Sequence, residues 1–382
     1  MKVLLWISNY KPFVYPTSVI MGGMEKVELQ QISALLELGV DLTLAVSEDS
    51  TVKELPSITL PVTSSIKGPY RTSKAIEKID SIIDDFDFVL TNKNISLNPK
   101  SQRVESMKRW AHKLRTINHI DDKFPSTWGG IYNLMLNKEL IPHGLRHAHV
   151  SPHGKRTWED IAEKVMNGTA FAKQESFQTY LRANQGPSCT DHYEVMVADD
   201  SLRPLREIQN GEIYVHAGRP CPTKGGVTAC KALRDLDLLD KSEIYTASAA
   251  NPKERSNLDK MLEVEPNIRV GLPHADLMRA FCKAKAYVMP TGMETAGGIV
   301  AFEAAAHGVP VVTSSIWSDR YLKPYGLLYQ IEHRTVKSTR DAIAKLSAGP
   351  AHDAHNRVQV ASRVREDYSW NAYKSQLAEF LS

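Results

Sequence analysis

Short apolar runs alternate along this chain with longer segments of helical period. In the first half, strands are expected at Lys2–Ile7, Asp41–Val46, Phe86–Leu90, Leu114–Asn118, His147–Ser151 and Tyr193–Val197. In the second half they are expected at Ile213–Ala217, Glu243–Ala247, Ile268–Val270, Ala286–Met289 and Val309–Thr313. Such alternation is the pattern of a doubly wound parallel sheet, so the fold class is α/β. A helix over Met24–Leu38 places Val27, Ile32, Leu35 and Leu36 on one face and ends at Gly39, a C-cap residue. The last helical stretch, Asn356–Leu381, carries an apolar stripe of Trp370, Tyr373, Leu377, Phe380 and Leu381. Between the halves, Asp199–Gly211 is polar and holds Pro204, Asn210 and Gly211, which marks a hinge.

Length turns this pattern into two domains, because 382 residues exceed what one hydrophobic core normally serves. The boundaries follow the hinge: a first domain over 1–200, the hinge over 201–211, a second domain over 212–360 and a terminal helix over 361–382. A charge of +3 is too small to argue for a polyanionic partner, so local basic clusters carry more weight. Cys189, Cys221, Cys230 and Cys282 lack metal-binding spacing and are too sparse for a disulfide framework, so they read as reduced thiols. The first apolar run breaks at Ser8-Asn9, short of a signal peptide, and no run reaches the length of a membrane span. A cytoplasmic location is expected, which includes the cytoplasm of a host if the chain is phage-encoded.

The richest chemistry lies between Gly292 and Val312. Glu294 and Glu303 flank Gly297-Gly298, and a small-residue helix begins near Ile299 between two strands. Turn amides and a helix N-terminus suit an anion, and a glutamate suits sugar hydroxyls, so the segment fits a sugar nucleotide. Glu303 in a first helical turn would also stabilise the macrodipole, and the two roles are compatible.

The run Glu303-Ala304-Ala305-Ala306-His307-Gly308-Val309-Pro310-Val311-Val312 resembles the E-A-M-A-x-G-x-P-V-V motif of family-four retaining glycosyltransferases. Ile213 to Arg219 followed by Lys224-Gly225-Gly226 is similar to that family's strand, G-R, K-G motif. Gly22-Gly23-Met24-Glu25-Lys26 is similar to its N-terminal G-G-x-E-R/K, and Tyr368-Ser369-Trp370 to its ending. These motifs cover most of the chain. The resemblance implies the GT-B fold, two Rossmann-like domains facing across a cleft, with the C-terminal helix crossing back to the first. One departure stands out: Glu294 and Glu303 are nine positions apart, one more than is usual in the family, so Glu303 is the firmer match.

Carried onto matching positions, the resemblance makes Arg219 and Lys224 the cations facing a nucleoside diphosphate, since leaving-group charge needs fixed cations. Ordinary solvated loop residues are the alternative for both. Glu303 would hold the ribose, Glu294 the transferred sugar, and the amides of Gly297, Gly298 and Ile299 the phosphates. Gly22 and Gly23 would let backbone approach the ligand closely, or form an ordinary turn. His119 resembles the histidine that the family's first domain presents to the donor sugar, and Asp121 or Asp122 would take the acceptor proton. A structural histidine and a polar turn are the competing readings.

The expected donor is UDP-linked, transfer is α-retaining by resemblance, and neither a cofactor nor a metal is expected. Asp84-Asp85, Asp121-Asp122 and Asp199-Asp200 do not sit where the fold carries its donor. The acceptor is a cell-envelope glycan or lipid, or hydroxymethylated DNA. Two basic, aromatic-containing stretches, Lys108–Arg115 and His143–Arg156, suit phosphate backbones, lipid headgroups or plain solvent. The irregular insertions Phe124–Asn137 and Gly168–Cys189 more loosely resemble phage DNA α-glycosyltransferases. A sugar-nucleotide-binding protein that does not transfer is the reading from a different class.

Overall fold

In the computed structural model, the described residues are 1–7, 23–48, 55–61, 69–92, 95, 97, 101–118, 136, 139–149, 202–249, 251–271, 274–291, 299–313, 322–331, 334–348 and 353–382. The chain divides into two compact units, Met1–Val195 with Tyr373–Ser382, and Met196–Ala372.

Unit 1 contains β1 (Lys2–Trp6), α1 (Gly23–Glu37), β2 (Asp41–Ser47), β3 (Ser57–Leu60), α2 (Pro69–Asp80), β4 (Phe88–Thr91), α3 (Gln102–Trp110), β5 (Leu114–Asn118) and β6 (Arg146–His149). Its six strands are parallel in the order β3-β2-β1-β4-β5-β6, with Val3 opposite Leu42 on one side and Phe88 on the other. Central strands of such a sheet are covered on both faces, and Val3, Leu4, Leu5 and Trp6 are accordingly all buried. One core packs Leu4, Trp6, Ile76, Ile79, Val89, Met107 and Trp110 together.

Unit 2 contains β7 (Ile213–Gly218), α4 (Gly226–Arg234), β8 (Ser242–Thr246), α5 (Pro252–Leu262), β9 (Arg269–Val270), α6 (His274–Cys282), β10 (Ala284–Met289), α7 (Ile299–Ala305), β11 (Val311–Thr313), β12 (Leu328–Gln330), α8 (Val336–Ala348) and α9 (Ala354–Asp367). Its order, β12-β11-β10-β7-β8-β9, repeats the winding of the first sheet and places its reversal between β7 and β10. Ligands bind outside the carboxyl ends of strands at such a reversal.

Several elements differ from the sequence expectation. β3 and β12 are short edge strands with partly exposed residues, so they lack the apolar run that marks central strands. The expected single helix over Asn356–Leu381 is two, α9 and α10 (Trp370–Leu381), because Tyr368 and Ser369 leave helical geometry. Tyr373, Leu377, Phe380 and Leu381 are buried, and the terminal stretch from Tyr373 groups with unit 1. Leu36 is 45% exposed rather than core-facing; Glu28, Gln31, Ile32, Ala34 and Leu35 take the buried face of α1. Gln31 and Asn92 there exchange side-chain amide bonds of 3.0 and 2.6 Å. Gly39 does end α1 with φ of +71°, its amide donating to Leu36. In the segment 202–211, the Gln209 amide donates to the Cys282 carbonyl and the Arg203 amide to His307 Nε2. The strand expected at Tyr193–Val197 lies outside the described residues.

A buried guanidinium organises this end of unit 2. Arg357 on α9 donates to the carbonyls of Gln209, Phe281, Cys282 and His307, joining the segment before β7 to the ends of α6 and α7. Burial pushes Arg357 down to about 10, which keeps it charged at neutral pH. Arg365 adds bonds to the Ala306 and Arg203 carbonyls. Gly308 ends α7 with φ of +63°, and a Cβ there would lie 2.2 Å from the Arg357 carbonyl oxygen. Gly308→Ala should therefore cost about 2–4 kcal/mol, from left-handed strain plus overlap with backbone; urea denaturation with an unshifted midpoint would show that this backbone yields freely.

His307 is buried, with Nδ1 2.7 Å from the Glu303 carbonyl. Burial, assisted by the nearby Arg365 and Arg357 charges, pushes its pKa from 6.5 down to about 4. Between these values the unfolded chain binds a proton that the folded one refuses, so stability falls as pH drops through that window. His307→Gln keeps a donor and an acceptor while removing the titration. The variant should lose less stability than wild type between pH 7 and pH 4.5, with the slopes differing by about one proton; parallel slopes would mean His307 does not titrate in this window.

Candidate functional site

The turn from β7 to α4 occupies the sheet reversal of unit 2 and holds both predicted cations. Gly218 ends the strand, and its carbonyl accepts from Thr246 Oγ1 at 2.9 Å. The chain then folds back through Cys221 N to Arg219 O (2.7 Å), Lys224 N to Cys221 O (3.0 Å) and Gly225 N to Pro222 O (3.3 Å). Gly225 has φ of +71°, and a Cβ on it would stand 2.3 Å from the Pro290 carbonyl oxygen just past β10. Thr291 Oγ1 closes the same junction by donating to Thr223 O at 2.9 Å. This close approach requires glycine twice over, for backbone angle and for space. It ties the cationic turn to the segment leading toward α7.

Lys224 lays its aliphatic stem beside Gly218, where an added Cβ would meet Lys224 Cβ at 3.5 Å. Arg219 is 64% exposed, and its Nη1 stands 3.6 Å from Oε1 of Glu254, whose side chain is only 7% exposed. Beneath the turn, His216 is buried with Nδ1 2.7 Å from Val288 O, which assigns the proton to Nδ1. Burial holds the His216 pKa below its ordinary value and the Lys224 charge adds to this, so the ring is neutral. Its Nε2 faces Gly226 at the start of α4, where an added Cβ would lie 3.2 Å away.

Glu303 lies in the short helix α7, among buried Ala301, Phe302, Ala304 and Ala305. The alanines let the helix press against β10 and β11, which carries the carboxylate into the interior. Oε1 of Glu303 is 2.8 Å from Nε2 of His274, the half-exposed first residue of α6. Tyr287 on β10 donates to the Ala217 carbonyl on β7 at 2.7 Å. Burial, reinforced by the Glu303 charge, raises the Tyr287 pKa and keeps this tie protonated.

Unit 2 thus contains Arg219, Lys224 and Glu303, and Ile299 opens α7. Gly23 opens α1 in unit 1. Gly22, His119, Asp121, Asp122, Glu294, Gly297 and Gly298 lie outside the described residues. Sequence reading passed over Glu254, His216 and His274. For Glu254 a signal existed, because Asn251-Pro252-Lys253-Glu254 is an N-cap pattern, and Asn251 Oδ1 does accept from Glu254 N at 3.0 Å. His274 carries no such mark, since its pairing with Glu303 joins two separate crossovers. No group of three His, Cys, Asp or Glu side chains among the described residues is placed to hold a metal.

The basic stretch Lys108–Arg115 is engaged within unit 1. Lys108 pairs with Glu105 (2.8 Å) and Glu139 (3.2 Å), and Arg109 pairs with Asp80 (3.0 Å). Trp110 donates to Asp80 at 3.1 Å, and Lys113 caps the Ile83 and Phe86 carbonyls. Arg115 is buried, donates to the Phe380 and Leu381 carbonyls ending α10, and lies 4.4 Å over the Phe88 ring. Burial, with the Arg146 charge adding, pushes Arg115 down to about 10. These side chains fasten helices and do not form an open stripe. The second stretch, from 150 to 156, lies outside the described residues. No helix among the described residues is long and apolar enough to cross a membrane.

Comparison with known proteins agrees with this geometry. Residues 212–348 match the family model described as Glycosyl transferases group 1. No curated protein matches the chain by sequence. Among solved structures, it is similar to a sucrose-phosphate synthase from Thermosynechococcus elongatus, with a TM-score of 0.67, 14% identity, and coverage of 99% of this chain and 97% of that one. It is also similar to Anabaena HepE in complex with UDP and glucose, with a TM-score of 0.62, 14% identity, and coverage of 100% and 99%. A UDP-forming alpha,alpha-trehalose-phosphate synthase from Burkholderia xenovorans gives a TM-score of 0.63 at 11% identity, covering 100% and 99%. At these identities the structures show the fold, which is GT-B. Together with the family match over its second unit, they support a glycosyltransferase.

Proposed function

We propose that this chain is a retaining glycosyltransferase that moves a sugar from a nucleoside-diphosphate sugar, UDP-linked, to an acceptor hydroxyl. The observation that carries the reading is the β7–α4 turn: two cations stand at the sheet reversal and are locked by Gly225 and Thr291 to the segment that leads to Glu303. A diphosphate gains negative charge as the glycosidic bond breaks, and Arg219 with Lys224 supplies fixed positive charge for it. The guanidinium can grip two oxygens while the ammonium acts as a point charge. Glu303, aligned with the family's E-A-M-A glutamate, accepts from the ribose hydroxyls. Glu294 contacts the transferred sugar, the amides of Gly297, Gly298 and Ile299 bind the phosphates, and Gly22 and Gly23 let backbone approach the ligand closely.

With charge stabilisation supplied by side chains, the reaction proceeds without a bound metal. His119 faces the donor sugar, and Asp121 or Asp122 receives the acceptor proton. Same-face attack guided by the departing phosphate retains the α linkage and needs no enzymic nucleophile. Lys108 and Arg109 pair with carboxylates within unit 1 and Lys113 donates to backbone carbonyls, which weighs against one of the two stretches that suited a nucleic acid. A glycan or lipid-linked hydroxyl is therefore favoured over hydroxymethylated DNA as acceptor.

Release of nucleoside diphosphate from a panel of sugar nucleotides, with glycan, lipid-linked or hydroxymethylated DNA acceptors, tests both halves. UDP release that rises with a glycan or lipid acceptor is expected; release that rises only with DNA would reverse the acceptor assignment, and donor binding with neither transfer nor hydrolysis would make the protein a binder. Arg219→Ala should weaken nucleoside diphosphate affinity by at least about tenfold, the scale of one charge-assisted contact. Unchanged affinity in calorimetry would remove Arg219 from the site.

A further inference from the structure

Arg219, one of the two cations on the turn at the sheet reversal, does not stand alone. Arg219 is mostly exposed, yet the carboxylate 3.6 Å from its Nη1 belongs to a side chain that is 7% exposed. A carboxylate withdrawn from water is costly and usually serves either a helix terminus or a neighbouring cation. Glu254 is placed for both. It is the third residue of α5 after the Asn251 N-cap, where a glutamate or a glutamine completes a capping box equally well. An ion pair to Arg219 is a separate matter, because it requires the charge.

We propose that Glu254 is a positioning residue for the donor: its carboxylate, anchored on α5, holds the Arg219 guanidinium over the β7–α4 turn so that the outward N–H groups meet the diphosphate. The inference rests on the donor-site reading above and adds a residue outside its motifs. Two restraints already fix the backbone below Arg219, the Thr246 bond to Gly218 O and the Cys221 bond to Arg219 O. A long side chain rising from a fixed backbone still has several rotatable bonds to order, and a carboxylate at its side reduces that entropy loss before the ligand arrives. Because the pair is anchored on the buried side, the exposed face of the guanidinium stays directed to solvent.

The test separates charge from capping. Four proteins are compared, wild type, R219A, E254Q and the double variant R219A/E254Q, by calorimetric titration with whichever of UDP, ADP, GDP and TDP binds wild type best, and by thermal melting. E254Q retains the cap, so its melting temperature should match wild type, while its nucleoside diphosphate affinity falls about five- to tenfold, the scale of one positioning ion pair. In the R219A background the same change should have no further effect. N251A provides the converse, with a lowered melting temperature and unaltered affinity, and it shows how far loss of the cap alone propagates if E254Q folds poorly. Wild-type affinity in E254Q, or an equal loss in the presence and absence of Arg219, would overturn the inference and leave Glu254 a capping residue. Failure of all four nucleotides to bind wild type, or full affinity in R219A, would overturn the donor-site reading itself.

Discussion

The second unit depends on how closely two backbone segments approach at its sheet reversal. Gly225 brings the start of α4 to within contact of the Pro290 carbonyl, a distance that any side chain would forbid. With the Thr291 bond to the Thr223 carbonyl, this makes one rigid junction from two loops that leave adjacent strands. Arg219 and Lys224 are presented from one side of that junction, and the chain runs on to Glu303 from the other. The cationic turn is thereby held on strand ends in a locked conformation, and positional precision of that kind is what charge stabilisation requires.

Buried charge is the second theme. Glu254, Glu303, Arg115 and Arg357 are all withdrawn from water, and each meets a partner: an arginine, a histidine, or a set of backbone carbonyls. The two arginines act on main chain. Arg357 gathers the ends of α6 and α7 to the segment before β7, and Arg115 with Arg146 gathers the carbonyls ending α10. Helix C-termini leave carbonyls unsatisfied, so a buried cation is an effective fastener there. The two glutamates act on side chains instead, Glu254 on Arg219 and Glu303 on His274.

Much of the architecture was legible in the chain. Central strands such as Lys2–Trp6 and Ile213–Gly218 are continuous apolar runs because both faces of a parallel sheet are covered. Edge strands β3 and β12 escaped because half their surface is wet, and the break between α9 and α10 escaped because Tyr368 fits the apolar period on either side. The glycines of Lys224-Gly225-Gly226 and His307-Gly308 were visible as motif residues. Their reasons, a carbonyl 2.3 Å from one absent Cβ and 2.2 Å from another, depend on chain segments distant in sequence.

By itself, then, the sequence determined the α/β class and the two-domain order, since periodicity and local motifs are properties of neighbouring residues. Only the tertiary structure decided that Lys108 and Arg109 pair with carboxylates and Lys113 with carbonyls of unit 1, and that Glu254 stands beside Arg219 and His274 beside Glu303. Each of those facts is a meeting of groups that lie far apart in the sequence. Charge and burial are set by what comes together in space, and linear spacing does not encode it.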